Sequence, residues 1–444
     1  MSLAKYDTYK DSGIDYLGNI PEQWEVKRLK DLGSLQNGIS QGKDYFGFGF
    51  PFVSYGNVYN NTIEPRFVDG LANSSKKEQQ HYSVLEGDVF FTRTSETVDE
   101  IGISATALQT IHKATFSGFV IRLRPKKSKI TKEYSNFFFK AHTNRLFLSK
   151  EISLVTRASL SQNKLNNLPV LLPNKTQQTA IATYLDRKTS AINQKIALLE
   201  LKTIHYQQLR KSLINETVCR GLDKTVKLKD SGIEWIRKIP EHWEAKRLKD
   251  KYNLFTGNSI SDKSLFENKI NSLDYVSTKD IDIETGQIMY DNGVYIPKNV
   301  KSFKIAKANS ILLCLEGGSA GKKVGFNTKD ICFVNKLCSM KGKTKNVNEK
   351  YQFYCIQSPV FERQFFAILN GLIGGVSLNS IKFFNILYPP DQEQAAIAAY
   401  LDEKTQQIDS ITTSIKSQIE TLKELRKTLI NNVVTGKINI IDKS

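Results

Sequence analysis

The sequence of 444 residues is poor in the side chains that most often hold metals or form covalent links. Its five cysteines include no Cys-x-x-Cys pair and fall mainly in the second half of the chain: Cys219, Cys314, Cys332, Cys338 and Cys355. The five histidines are scattered: His81, His112, His142, His205 and His242. We therefore predict no zinc site and no disulfide, and interpret the cysteines as small buried residues in a reducing compartment.

Long apolar runs are missing as well. Apolar runs such as Ile311 to Leu315 are far shorter than the ~20 residues that a transmembrane helix needs. No charged, apolar and small-residue succession typical of a secretory leader is present. We expect a cytoplasmic protein with no membrane partner.

Three strings resemble enzyme motifs but do not complete them. Pro390-Asp391 with Asp402-Glu403-Lys404 imitates a metal-dependent nuclease pattern, yet its counterpart in the first half, Pro173-Asn174, lacks the first carboxylate. Gly317 to Lys323 has three residues between its glycines, where a phosphate-binding P-loop needs four. Tyr45 to Gly49 resembles a methyl-donor loop, but the chain has no catalytic Asn/Asp-Pro-Pro-aromatic tetrapeptide. We expect no catalytic residue, metal or cofactor in this chain.

Positive charge, in contrast, is abundant. Lysine and arginine number 63 against 45 aspartates and glutamates, which leaves a net charge of +18. A surface of this kind attracts polyanions, of which nucleic acid is the commonest in a cell. The charge alone leaves open a merely basic protein or a membrane-surface binder.

A block near the start of the chain returns after residue 228. At a shift of 219 residues, 15 of the 22 positions from 10 to 31 are identical to those from 229 to 250. Both copies contain Lys-Asp-Ser-Gly-Ile and Ile-Pro-Glu-x-Trp-Glu-x-Lys-Arg-Leu-Lys-Asp. The chain is thus a tandem duplication. We interpret Trp24, Trp235 and Trp243 as core anchors of this block.

A second pair of matching blocks closes each half. Residues 173 to 215 match residues 389 to 431 at a shift of 216 without a gap. Apolar residues recur there every seven positions, which predicts a coiled-coil seam in each copy. The seam residues are Leu185, Ile192, Leu199, Tyr206 and Leu213, then Leu401, Ile408, Ile415, Leu422 and Leu429. The neighbouring positions are mixed: Lys188, Lys195 and Lys202, then Lys404, Ile411 and Gln418.

Each closing helix of about 40 residues should span roughly 60 Å. Because the compact segment between them must receive the end of one helix and the start of the other, we predict that the helices run antiparallel. An amphipathic helix lying on its own domain is the alternative.

The segments between the repeated blocks look strand-rich with some helix. Strands are predicted at 50–55, 88–93 and 119–124, and helices at 135–148 and 351–369. The predicted fold is mixed α/β, with two α+β domains separated by an antiparallel coiled coil and related by a pseudo-two-fold internal repeat. We place the domains at 1–170 and 223–388, and the helical segments at 171–222 and 389–444.

The duplicated unit, its opening motif and its closing Pro-x-x-x-x-Gln-x-x-Ile-Ala-x-Tyr-Leu-Asp-x-Lys-Thr helix resemble the specificity subunit of type I restriction-modification systems. The resemblance covers nearly the whole chain, although the variable segments match only in outline. It implies two target-recognition domains, each reading half of a split DNA sequence, with the paired helices as a spacer. It also implies two modification (methyltransferase) subunits and restriction (motor-nuclease) subunits as partners. These would carry S-adenosylmethionine, ATP and Mg, and the specificity subunit itself would be non-catalytic.

Candidate double-stranded DNA contacts are polar side chains near glycine-rich turns. Lysine and arginine there suit phosphates, and amide or hydroxyl groups suit base edges. The candidates are Lys43, Tyr55, Asn57, Arg93, Ser95, Arg157, Ser159, Gln162 and Lys164 in the first half, and Lys263, Thr278, Lys279, Ser319, Lys322, Lys323, Ser377 and Asn379 in the second. For each of them a solvated surface position is the alternative.

Two other classes of function remain at this point. A stand-alone regulator with two DNA readers would share the charge and the helices but need no methyltransferase partner. A self-sufficient nuclease or methyltransferase would need the catalytic residues that the motifs above fail to supply.

Overall fold

The computed structural model describes residues 5–97, 100–126, 129–151, 153–154, 158–234, 236–369 and 374–440. The chain forms two compact units: residues 1–198 with 418–444, and residues 199–417. Each unit therefore holds one repeat together with part of both long helices. This division differs from boundaries drawn along the chain, because each long helix contributes to the core of both units.

Short strands make up most of the first repeat. They are β1 (Tyr9–Asp11), β2 (Asn19–Pro21), β3 (Glu25–Arg28), β4 (Gly33–Asn37), β5 (Phe46–Val53), β6 (Leu71–Ala72), β7 (Val89–Thr92), β8 (Thr94–Ser95), β9 (Ser104–Thr106), β10 (Thr115–Phe116), β11 (Val120–Pro125), β12 (Ser153–Leu154), β13 (Ala158–Ser159) and β14 (Pro169–Leu172). The helices are α1 (Leu29–Leu32), α2 (Tyr55–Tyr59), α3 (Lys76–His81), α4 (Lys132–Phe138), α5 (His142–Glu151) and α6 (Gln162–Asn166), followed by the long α7 (Lys175–Arg220).

An antiparallel sheet of order β4-β11-β7-β9 forms the centre of the first unit. A second sheet, β10-β5-β6, pairs β5 in parallel with β10. The ribbon β3-β14 joins the opening block to the strand just before α7, with Arg28 opposite Pro169. The variable segment thus begins and ends at one place, next to the long helix.

The second repeat has strands β15 (Leu228–Asp230), β16 (Lys238–Pro240), β17 (Glu244–Arg247), β18 (Tyr252–Thr256), β19 (Ser272–Val276), β20 (Tyr295–Pro297), β21 (Ile305–Ala306), β22 (Ile311–Cys314), β23 (Val324–Phe326), β24 (Ile331–Phe333), β25 (Leu337–Gly342) and β26 (Asn385–Tyr388). Its helices are α8 (Leu248–Lys251), α9 (Glu349–Ile356), α10 (Pro359–Ala367) and α11 (Leu378–Ile381), followed by the long α12 (Asp391–Val434). The order β18-β25-β22-β23 and the ribbon β17-β26 repeat the arrangement of the first unit.

The predicted strands are found at β5, β7 and β11, shifted by a few residues. The predicted helix at 351–369 is divided into α9 and α10. Ser358 ends the run because its Oγ accepts the N–H of Phe361 as an N-cap, and Pro359 occupies the first turn, where no N–H is needed. The predicted helix at 135–148 is likewise divided into α4 and α5.

All ten predicted seam residues of α7 and α12 are buried or half-buried. The second inward position of each heptad, however, lies four residues after the seam residue and not three. Lys188, Lys195 and Lys202 are exposed. The inward positions are instead Thr189, Ile196, Thr203, Arg210 and Thr217, and Thr405, Thr412, Ile419, Arg426 and Val433. The predicted mixed half-seam was therefore wrong by one residue, because the inward spacing after each seam residue is four residues and then three, not three and then four.

Each unit shows the two helices in antiparallel order. In the first unit, the Tyr134 hydroxyl donates to the carbonyl of Leu171, just before α7, at 3.0 Å and to that of Val434, at the end of α12, at 3.4 Å. In the second, the Tyr351 hydroxyl donates to Leu387, just before α12, at 3.3 Å and to Val218, near the end of α7, at 3.5 Å. The start of one helix thus lies beside the end of the other in both units.

The repeated opening block is anchored by its tryptophans. Trp24 and Trp243 are fully buried, as predicted, whereas Trp235 lies outside the described residues. The five cysteines are free and buried, and burial raises the pKa of Cys338 to about 12. Among the described residues, no helix is both long and apolar enough to cross a membrane.

Candidate nucleic-acid interface

The first unit gathers several predicted DNA contacts at the end of β7. Arg93 follows this strand and donates from Nη1 to the carbonyl of Gly118 at 3.2 Å. Strand β8, with Ser95, pairs with β13, which carries the exposed Ser159. Tyr55 reaches the same place, with its hydroxyl 3.4 Å from the carbonyl oxygen of Glu100. Burial, opposed by a hydrogen bond with Ser95, raises the pKa of Tyr55.

The next candidates along the chain continue this surface. The backbone N–H of Leu160 donates to the carbonyl of Arg93 at 2.9 Å, which holds the start of α6 against the end of β7. Gln162 and Lys164 on α6 are both half-buried. Arg157 lies outside the described residues. Lys43 is exposed in a short 3-10 turn (Lys43–Tyr45) that follows the loop paired with Ser117.

Asn57 has a structural role in capping α2, which the sequence alone did not predict. It is buried, with 8% of its surface exposed, and its Oδ1 accepts from the backbone N–H of Ser54 at 3.0 Å. Its Nδ2 donates to the carbonyl of Phe67 at 3.1 Å. The side chain therefore closes the cap of α2, and its hydrogen-bonding groups are used within the domain rather than presented to a base edge. Ser95 is similarly engaged, because its hydroxyl donates to the carboxylate of Glu100.

In the second unit several candidates again lie near the end of the central strand, here β22. Ser319, Lys322 and Lys323 lie in the loop after this strand. Lys322 is exposed, with its Nζ 6.0 Å from the centroid of the Phe366 ring. The Lys323 ammonium donates to the carbonyl of Thr278 at 2.9 Å, which ties this loop to the 3-10 turn Thr278–Asp280. Lys263 and Lys279 are exposed.

The remaining two candidates, Ser377 and Asn379, are exposed at α11. Ser377 is the N-cap of α11, since its Oγ accepts the N–H of Ser380 at 3.1 Å. The preceding segment is held to β22 by the N–H of Val376, which donates to the carbonyl of Leu315 at 3.0 Å.

The same junction therefore occurs in both units. A short helix, α6 or α11, is preceded by a segment that hydrogen-bonds to the end of the central strand, β7 or β22. Candidates that were selected from sequence alone meet at topologically equivalent places, although their residue types differ. One exposed neighbour was not predicted: Phe119, 59% exposed, whose carbonyl accepts the N–H of Arg93 at 2.9 Å. In the sequence, its signal is an aromatic residue directly after Gly118.

The architecture defines a duplicated two-domain protein, in which an α/β domain followed by a long helix occurs twice. The chain belongs to the family described as the type I restriction modification DNA specificity domain, whose profile matches residues 21–201 and 240–421. The family predicted from the opening and closing motifs is thus confirmed.

Relatives extend over nearly the full length. The chain is 22% identical over 461 residues to the MjaVIII type I restriction enzyme specificity subunit of Methanocaldococcus jannaschii, covering 99% of this chain and 98% of that protein. It is 24% identical over 452 residues to the MjaIX specificity subunit of the same organism, covering 96% and 95%. A solved chain of a type I R-M system aligns with a TM-score of 0.71 at 14% identity, covering 94% of this chain and 98% of that one. The last comparison shows a shared fold.

Proposed function

We propose that this chain is the specificity subunit of a type I restriction-modification complex and that each unit reads one half of a bipartite DNA target. The observation that carries the proposal is the presence of two DNA specificity domains in one chain, with a repeated frame and unlike loops at equivalent positions. Two identical readers would recognise a symmetric target. Because the loops differ, the two half-sites should differ too.

The chemistry of the loops supports DNA as the ligand. Exposed cations such as Lys43, Lys263 and Lys322 can neutralise phosphates, and hydroxyl and amide groups such as Ser159 and Asn379 can read base edges in the major groove. The net charge of +18 supplies the long-range attraction.

The proposal assigns the chemistry to other chains. Two modification subunits would bring S-adenosylmethionine and methylate adenine, and restriction subunits would use ATP and Mg to move along DNA and cut it. The chain described here would position these subunits without catalysis of its own. A stand-alone two-headed regulator would need no such partners, so co-purification distinguishes the two functions. The proposed subunit should elute with the modification subunit encoded beside it, and separate elution would contradict the assignment.

A domain exchange tests the reading of half-sites. Residues 32–168 lie between the two strands of the β3-β14 ribbon, so they can be replaced by the matching segment of a related subunit without disturbing the repeated frame. Sequencing of methylated bases in a host that carries the chimaera should show a change in one half of the target only. Exchange of residues 251–384 is the matched control and should change the other half. A change in both halves from either exchange would refute independent readers.

A further inference from the structure

The two copies of the opening block can be compared with each other, position by position. Identity at a buried position, such as Trp24 and Trp243 or Leu29 and Leu248, follows from packing, because these side chains are fully buried. Identity at an exposed position needs another cause. Several exposed charges are nevertheless the same in both copies.

Some of the repeated charges have local structural roles. Asp11 and Asp230 accept the backbone N–H two residues later, at 3.0 and 2.8 Å, and so close the same turn. Lys27 and Lys246 each form an ion pair with the glutamate two residues earlier, at 3.1 and 2.7 Å. These contacts explain both identities within the frame itself.

Among the described residues, three repeated basic positions remain without such a role: Lys10 with Lys229, Arg28 with Arg247, and Lys30 with Lys249. The last two lie two residues apart in the opening block. Arg28, Lys30 and Arg247 are exposed and Lys249 is half-buried. In the part of the chain that the structure describes, none of the four forms an ion pair. Their contacts also differ between the units. Lys249 lies 4.2 Å from the centroid of the Phe383 ring, and the Arg247 guanidinium carbon lies 5.7 Å from it. Position 167, which matches Phe383 at the shift of 216, is an asparagine. The charges are therefore kept although their surroundings are not.

These basic residues adjoin the candidate DNA-contacting helices. In the first unit, the N–H of Leu29 donates to the carbonyl of Leu168 at 2.9 Å, just after α6 with Gln162 and Lys164. Arg28 and Lys30 line an open cleft of about 680 Å³ there. In the second unit, the N–H of Lys249 donates to the carbonyl of Lys382 at 2.9 Å, just after α11 with Asn379.

We propose that Arg28 and Lys30, and equally Arg247 and Lys249, bind backbone phosphates of DNA beside each half-site. The inference rests on the proposed function and adds to it that one set of residues binds phosphates while another set reads the bases. Phosphates are alike in every sequence, so residues that bind them can be the same in both units, whereas base-reading residues must differ. Guanidinium and ammonium groups on an exposed ribbon and first helical turn are suited to such contacts.

The salt dependence of DNA binding tests this proposal. We would measure the affinity of the full-length chain for a fluorescent 40-base-pair duplex at 50 to 300 mM KCl by anisotropy, for wild type and R28Q/K30Q/R247Q/K249Q. Each lost phosphate contact lowers the slope of log K against log salt by about 0.9, so four contacts should lower it by roughly 3 to 4. The charge-preserving variant R28K/K30R/R247K/K249R should keep most of the slope, and equal melting temperatures would show that the variants fold.

A matched control removes the same charge elsewhere. K188Q/K195Q/K202Q/K427Q neutralises four exposed lysines on the long helices and should lower the slope by less than 1. An equal fall in this control would mean that only net charge matters and would overturn the proposal. An unchanged slope in the first variant, with loss of binding to the modification subunit, would also overturn it and identify a protein-docking surface. Absence of DNA binding by folded wild type and all variants would instead refute the proposed function.

Discussion

Replacing Lys140 by glutamine should stabilise the first unit at neutral pH and remove part of its pH dependence. Lys140 follows α4, and burial, reinforced by the nearby charge of Arg426, lowers its pKa from 10.5 to about 8. Its ammonium donates to Asn136 Oδ1 at 2.6 Å, and Arg426 donates to Asn193. Neither of these contacts provides a carboxylate.

In the second unit the corresponding arginine is paired with a carboxylate. Tyr134 and Tyr351 make equivalent hydrogen bonds in the two units, and at their offset of 217 the residue matching Lys140 is Gln357. Gln357 accepts from Arg210 at 3.3 Å, and Arg210 also pairs with Asp409 at 3.1 Å. Glutamine at position 140 would reproduce this neutral partner. A pKa lowered from 10.5 to about 8 corresponds to at most about 3 kcal/mol of stability. Since Lys140 is half-buried and keeps some access to water, and since glutamine loses part of the packing, we expect a net gain of about 1 kcal/mol at pH 7.

The sign of the pH dependence follows from proton binding. Between pH 8 and 10.5 the unfolded chain holds more protons at Lys140 than the folded chain, so the stability of wild type rises with pH in this window. The advantage of K140Q should therefore be constant below pH 8 and disappear towards pH 10.5. Hydrogen exchange of residues 132–147, measured from pH 7 to 10 and corrected for intrinsic rates, isolates the first unit in a chain that need not unfold as one.

The exposed Lys195 provides the control, because K195Q removes the same charge at the surface. An equal protection change in K195Q, or a difference between K140Q and wild type that does not vary with pH, would refute the role of burial at Lys140.

Three further outcomes are expected. R210A should destabilise the second unit by about 2 kcal/mol, because it leaves the partly buried Asp409 without its cation. Urea unfolding measures the loss, and a loss under about 0.5 kcal/mol would contradict the prediction. G436A should lower the free energy of unfolding by more than about 2 kcal/mol, because φ of Gly436 is +73° and a Cβ there would meet the Pro21 ring. G232A is the control: φ of Gly232 is +68° but the space around it is open, so the loss should be only about 1 kcal/mol. Equal losses in urea unfolding would contradict the steric argument. Deleting one heptad from both long helices should change the spacer of the methylated target or abolish methylation without altering either half-site, as methylome sequencing would show; an altered half-site would refute separate roles.

Much of the frame could be predicted because its signals are local. The heptad residues Leu185 to Leu213 predicted a long helix, and the antiparallel order followed from chain connectivity. Asn57 shows the limit for the candidate site. Its residue type suits base recognition, but its side chain points into the domain and donates a hydrogen bond to the carbonyl of Phe67, ten residues away. The second inward position of each heptad was predicted wrongly for a similar reason. Thr189 and Arg210 are polar in the sequence, and they are buried because of the residues that pack around them.

The sequence by itself determined that this protein is duplicated, that each copy opens with the same block and closes with a helix, and that it is strongly basic. Identity at a constant shift, a seven-residue period and a charge sum need no folded coordinates. Only the tertiary structure decided which repeated charges of the described residues form no ion pair and which candidate side chains meet at the ends of β7 and β22. It also decided how the surroundings of Lys140 differ from those of Gln357. These depend on contacts between residues distant in sequence, and a hydrogen bond or ion pair exists only when folding brings both of its groups within about 3 Å.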